Sequence, residues 1–149
     1  MKRSIPIYCG ETTAPILNSL TEMGPKTFEF NFKGIQLNTF RTGDKIKIGS
    51  IEVEPIHVDH SVPGAYGFLI HTSEGCIVYT GDFRAHGTKP DMTQQFIDEA
   101  SKASPVAMVT EATNTTGASP SSENGVEQKL TEVVGQARGI VLGDFAKAE

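Results

Sequence analysis

His57-Val58-Asp59-His60-Ser61-Val62-Pro63-Gly64-Ala65-Tyr66-Gly67 is followed, after one apolar run, by Tyr79-Thr80-Gly81-Asp82-Phe83-Arg84. In both stretches an apolar run ends at a strong ligand type, an imidazole in the first and a carboxylate in the second, and a glycine-bearing loop adjoins it. A carboxylate at the rim of a core persists when it is solvated, paired or bound to a metal. Gly81, beside Asp82, gives the chain backbone angles closed to other residues and lets the main chain approach a ligand closely. The plainer reading of Gly81-Asp82 is a turn. Strong ligand types set where an apolar run meets a glycine-bearing loop are how metal sites are built.

The flanking segments supply those strands. Ile46 and Ile48 alternate with Lys45 and Lys47, Gly49-Ser50 makes a tight turn, and Ile51 and Val53 alternate with Glu52 and Glu54, which predicts a hairpin with Lys facing Glu. Pro55 shifts the alternation to Ile56 and Val58, so a bulge or an edge is expected just before the His-Asp-His cluster. Gly67 to Ile70 and Cys76 to Tyr79 are continuous apolar runs joined by Ser73-Glu74-Gly75, as in adjacent strands covered on both faces. Val106 to Thr110 reads as a further buried strand. It too finishes at an acid, Glu111, with the polar loop Thr113 to Gly117 behind it.

Ile5 to Cys9 reads as a short strand, and Thr12/Thr13, Pro15 and the stripe Ile16, Leu17, Leu20, Met23 predict a helix stopped by Gly24-Pro25. Phe28, Phe30 and Phe32 alternate with polar residues, and a second extended stretch is expected from Ile35 to Phe40. Asp91 and Gln94 resemble a capping box before the helix face Phe96, Ile97, Ala100, which ends before Pro105. Ser121 or Ser122 is expected to cap a last helix with Val126, Leu130, Val133, Val134 and Ala137 at helical spacing. Gly139 should end it, and Ile140-Val141-Leu142 should open a final strand. Strands dominate the first half and alternate with helices in the second, so the expected class is layered α/β, a sandwich flanked by helices.

A chain of 149 residues accommodates one domain with a core. Thirteen Lys and Arg against 18 Asp and Glu give a net charge of −5, the wrong sign for holding nucleic acid by counterion release alone. A polynucleotide substrate would need attraction from a metal centre or a second basic domain. Cys9 and Cys76 lie in apolar segments with no secretory leader before them, and neither belongs to a metal-binding pair, so a reducing cytosol is the expected home. No stretch is long and apolar enough to span a bilayer, so no membrane partner is expected.

With these residues in hand, the chain resembles the metallo-β-lactamase fold in its β-CASP branch of nucleases, which includes ribonuclease J and the archaeal cleavage-factor-like enzymes. The resemblance covers most of the chain and is carried by His60 to Gly67, by Tyr79-Thr80-Gly81-Asp82-Phe83-Arg84, and by Glu111-Ala112-Thr113-Asn114. It implies that His60 is a zinc ligand, that Asp82 is the catalytic carboxylate bridging two zincs, and that Glu111 is the acid supporting a β-CASP histidine. Ser61 and Arg84 become candidates for phosphate contact. The implied reaction is hydrolysis of RNA phosphodiesters by metal-activated water, with two zincs about 3.5–4 Å apart clamping both oxygens of the displacement.

The family's other signature, His-x-His-x-Asp-His, normally lies upstream, yet no histidine precedes His57. His57-Val58-Asp59-His60 matches its last four positions, but Pro55 stands where the first histidine belongs, and the Ser-Val-Pro-Gly-Ala-Tyr continuation fits the later motif better. His57 and Asp59 are therefore expected to support the site or to lie on the surface. His71 is expected to be structural and His86 solvated. By this resemblance the chain is a fragment lacking the N-terminal strands of the fold. Residues 1–139 then form the central and C-terminal part of a metallo-β-lactamase domain, and 140–149 the start of a truncated β-CASP domain. Such a piece is expected to be inactive alone. Two other readings remain: a non-catalytic half-domain that self-associates through an exposed sheet edge, and a metallo-hydrolase of small esters or thioesters.

Overall fold

The strand Ile51–His57 (β4) is paired on both sides along part of its length, and the larger of two sheets is built around it. The computed structural model describes residues 5–23, 32–113 and 122–143. Along them run β1 (Ile7–Gly10), α1 (Thr13–Met23), β2 (Leu37–Phe40), β3 (Ile46–Ile48), β4, β5 (Tyr66–Thr72), β6 (Gly75–Tyr79), α2 (Pro90–Lys102), β7 (Ala107–Val109) and α3 (Glu123–Gln136). β1 and β2 form a parallel pair, and the five-stranded sheet has the order β3-β4-β5-β6-β7. Its pairs are antiparallel up to β6, and β7 is parallel to β6. Each parallel pair is joined through a helix, α1 for β1/β2 and α2 for β6/β7, because parallel strands cannot be linked by a tight turn.

Successive residues of β5 point to opposite faces, and the two faces carry different layers. On one, Leu69 joins Ile56, Val58, Cys76, Val78 and Phe96 of α2 in the buried core. Gly67 faces the same way, and a Cβ there would overlap the Phe96 ring. On the other face Tyr66 and Phe68 meet Phe40 of β2 edge-on, with ring centroids 4.9 and 5.9 Å apart, which joins the small sheet to the large one. The result is the sandwich flanked by helices that the alternation of elements predicts.

The hairpin forms as expected: Lys47 lies opposite Glu52, and Lys45 Nζ donates to Glu52 Oε1 at 2.9 Å. Pro55 makes no bulge, but it does stand at an edge, on the side of β4 that β3 no longer pairs. It is fully buried and in register with Phe68, in a strand unbroken to His57. Its carbonyl accepts from Gly43 N, on the side where β3 has already ended. The nitrogen of a strand residue points to the same side as its carbonyl, so the missing donor costs no bond to β5.

Other expectations are corrected. β5 and β6 are not covered on both faces: Ile70 and Ile77 are half-buried and Tyr79 is 45% exposed, because a two-stranded sheet is too small to cover five strands. β7 is not buried, with Val106 66% and Met108 64% exposed at the edge of the sheet. No capping box opens α2: Lys89 is the N-cap without a side-chain bond, Pro90 begins the helix, and Gln94 donates to Asp98. Proline at the first helical position needs no donor there and takes over the start. Ser122 does cap α3, its hydroxyl accepting from Gly125 N at 3.1 Å. That helix ends at Gln136 rather than Gly139, and Ile140-Val141-Leu142 forms no strand. Gly24, Pro25, Phe28, Phe30, Asn114 to Gly117, Ser121 and residues 144–149 lie outside the described residues.

If α2 is held through the Phe96 ring over Gly67, Phe96→Ala lowers the unfolding free energy by about 3 kcal/mol. Leu130→Ala, on the exposed face of α3, changes it by less than about 0.5 kcal/mol. Urea titrations of the two variants check this.

Candidate functional site

β5 runs antiparallel to both of its neighbours, so β4 and β6 run in the same direction, and β7 follows β6. Their C-terminal ends therefore share one edge of the sheet. His60 lies three residues past β4, Asp82 three past β6 and Glu111 two past β7. The β6 and β7 ends are tied together: Thr80 N donates to Val109 O at 3.0 Å and Thr80 Oγ1 to Thr110 Oγ1 at 3.2 Å. Loops leaving strand ends at one sheet edge are a common place for ligand sites in open α/β folds.

His60 and Asp82 line one cleft of about 530 Å³, together with Tyr66, Tyr79 and, from α1, Ile16 and Leu17. Two glycines shape it. Gly81 has φ +59°, and a Cβ there would lie 2.7 Å from Tyr66 O; Gly64 has φ +88° and packs on Thr13. Thr13 Oγ1 donates to Gly64 O at 3.3 Å and fastens α1 to the loop that carries His60.

Ser61 Oγ lies 2.8 Å from His60 Nδ1. With the Nδ1 proton donated to Ser61, Nε2 presents its lone pair, the form in which an imidazole binds a metal. Glu111 accepts from Phe83 N at 2.8 Å on one oxygen and from Thr113 Oγ1 at 2.7 Å on the other. The Thr113 bond above all, then the Phe83 bond, hold its carboxyl below the ordinary glutamate value; His60 adds a smaller effect in the same direction, and burial opposes them. Glu111 thus fastens the loop immediately after Asp82.

Arg84 does not line this cleft. Its guanidinium is paired with Glu123 in the first turn of α3. His57 is a packing residue: its ring stacks on Tyr66 with centroids 4.0 Å apart, Thr42 Oγ1 lies 3.2 Å from Nδ1, and burial lowers its pKa. Asp59 is buried, not on the surface. His71 Nε2 lies 3.6 Å from Glu54 Oε2 across β4/β5, in keeping with a structural place. His86 is half-buried rather than solvated, and its carbonyl accepts from Glu123 N at 3.2 Å. Sequence reasoning missed the α1 wall of the cleft and the bonds made by Asp59; an acid enclosed by Val58 and the following motif was the one available signal.

A catalytic zinc takes three protein ligands and keeps an open position. His60 and Asp82 offer two donors of suitable type, and among the described residues no group of three or more His, Cys, Asp or Glu is placed to hold a metal ion. The pair fits part of a zinc shell and falls short of a complete one.

No protein-family model matches the sequence. It is 29% identical over 143 residues to ribonuclease J of Sinorhizobium meliloti, covering 93% of this chain and 24% of that protein. The ribonuclease J of Thermus thermophilus is 31% identical over 145 residues, with the same 93% and 24% coverage. That of Corynebacterium glutamicum is 32% identical over 155 residues, covering 98% of this chain and 20% of the relative. The chain thus spans about a quarter or less of the length of these curated relatives. A crystal structure of a protein of unknown function from Enterococcus faecalis V583 superposes with a TM-score of 0.70 at 30% identity, covering 87% of this chain and 33% of that one.

Because the folded state lowers the Glu111 pKa, the stability this residue contributes is present above the ordinary glutamate value and is lost as pH falls through the lower folded one. Glu111→Gln is expected to be less stable than the parent at neutral pH, and the gap should close as the pH is taken below the ordinary glutamate range. Urea midpoints across that range test it; a gap that widens in acid contradicts the assignment.

Proposed function

Since the chain belongs to the ribonuclease J family of β-CASP metallo-β-lactamase proteins, we propose that it carries one part of the metal centre with which a longer protein hydrolyses RNA phosphodiesters. The reading rests on one observation above all: His60 and Asp82 meet in one cleft because their strands run the same way. His60 would hold zinc through its imidazole and Asp82 through its carboxylate. Bound zinc supplies a hydroxide nucleophile near neutral pH and a Lewis acid for a phosphoryl oxygen.

The chain's own residues prepare that chemistry. Ser61 orients the imidazole, and Glu111 holds Phe83 N and with it the loop that presents Asp82. Tyr66 and Tyr79 give the cleft aromatic walls. At a net charge of −5, attraction for RNA has to come from the metal and from segments beyond this chain. Residues 140–149 are read as the opening of a β-CASP segment, and the cytoplasm as the place of action. With two donors in place, the chain alone is expected to be inactive.

A second reading has its own observation. Among the described residues β7 is the outermost strand of its sheet, with Val106, Met108 and Val109 exposed, so the chain can self-associate there. Sedimentation velocity over a wide concentration range separates the two: a strict monomer removes the second reading.

Hydrolysis of a labelled single-stranded RNA in the presence of zinc tests the first. The chain by itself should give none, and the chain joined to a segment bearing His-x-His-x-Asp-His should give activity that Asp82→Ala lowers by more than about a hundredfold, beyond the usual effect of losing an outer-shell partner. Activity of the joined protein that survives Asp82→Ala, or that acts on lactones and thioesters but not on RNA, would overturn the proposal.

A further inference from the structure

Three hydrogen bonds close a triangle behind the candidate site. Arg84 N donates to Asp59 O at 2.6 Å, Asp59 N donates to Thr93 Oγ1 at 3.0 Å, and Thr93 Oγ1 donates to Arg84 O at 2.7 Å. A threonine hydroxyl has one proton to give and lone pairs to accept with, so Thr93 meets both demands at once. Its three corners lie on the loop after β4, the loop after β6 and α2. Asp59 immediately precedes His60, and Arg84 is two residues beyond Asp82.

The Asp59 side chain adds a second fastening. It is 6% exposed, and Thr93 is 2% exposed, so neither can be satisfied mainly by solvent. Asp59 Oδ2 accepts from Lys89 N at 2.9 Å. Gly87 packs directly on the carboxylate, and a Cβ at that position would overlap it. The loop that presents Asp82 is therefore held near both ends by the residue next to His60: at Arg84 through the main chain, and at Gly87 to Lys89 through the carboxylate.

We propose that Asp59, Thr93 and Gly87 form a clamp that positions His60 against Asp82, so that Asp59 and Thr93 are positioning residues of a site they do not enter. The proposal rests on the reading of His60 and Asp82 as a metal-ligating pair. A buried acid and threonine could instead serve the core alone. The arrangement of the bonds argues for more: one joins the two loops that carry the pair directly, the other two join each loop to Thr93 of α2, and none of the three is made by a residue of the Phe96 core cluster.

The test uses this chain, isotopically labelled, first without metal and then titrated with Zn²⁺. Thr93→Val keeps the shape and loses both side-chain bonds, Thr93→Ser keeps the hydroxyl, and Gly87→Ala wedges the carboxylate from a different element should the valine variant not fold. Residual dipolar couplings are expected to show residues 58–61 reoriented relative to residues 82–86 in Thr93→Val and Gly87→Ala, with β5 and β6 unchanged and Thr93→Ser like the parent. Zinc affinity should fall about tenfold or more in Thr93→Val and stay within about twofold in Thr93→Ser. Unchanged couplings in both disrupting variants, or changed couplings with parental zinc affinity, would overturn the clamp. A parent that takes no zinc while the couplings still shift as expected would overturn the metal-ligating reading and leave the positional one supported.

Discussion

The antiparallel pairing of β5 with both β4 and β6 is the constraint on which the site depends. It makes the outer two strands of that trio parallel to each other although no hydrogen bond joins them, and it delivers the residues after each to one edge. The crossover through α2 then adds β7 in the same direction, and Glu111 arrives beside the loop that holds Asp82. A shift of one residue in either β5 pairing would turn alternate side chains to the wrong face. Register is set by burial: Leu69 and Val78 face α2, while Tyr66 and Phe68 face Phe40.

The layers are unequal. The α2 face is closed by Phe96, whereas on the opposite face, among the described residues, Phe40 packs on Tyr66 and Phe68 and leaves Tyr79 45% exposed. The edge strand β7 and the stripe Val126, Leu130, Val133 and Val134 on α3 remain exposed. So much exposed apolar surface on elements of helical and strand periodicity suits a chain that spans about a quarter or less of its curated relatives' length.

Much of this was legible in the residues. The Lys/Glu alternation around Gly49-Ser50 announces the β3/β4 hairpin, and the apolar runs around Ser73-Glu74-Gly75 announce β5/β6. His60, Asp82 and Glu111 were each marked by an apolar run ending at a ligand type. At Pro55 the edge was legible and the bulge did not form, because its nitrogen faces the side that β3 leaves and the pairing with β5 stays in register. β7 and Ile140 to Leu142 were misread because apolar character reports what a segment can bury, not whether a partner surface is present. The Asp59 clamp was out of reach because Thr93 and Gly87 lie 34 and 28 residues away in sequence and carry no local signal.

The central claim, that the strand directions bring His60 and Asp82 together as two donors to one metal, is tested most directly by anomalous scattering at the zinc edge from crystals of this chain grown with zinc. The account predicts a peak within coordination distance of both His60 Nε2 and the Asp82 carboxylate. No peak there, or a peak that touches one of the two and is completed elsewhere on the chain, would contradict it.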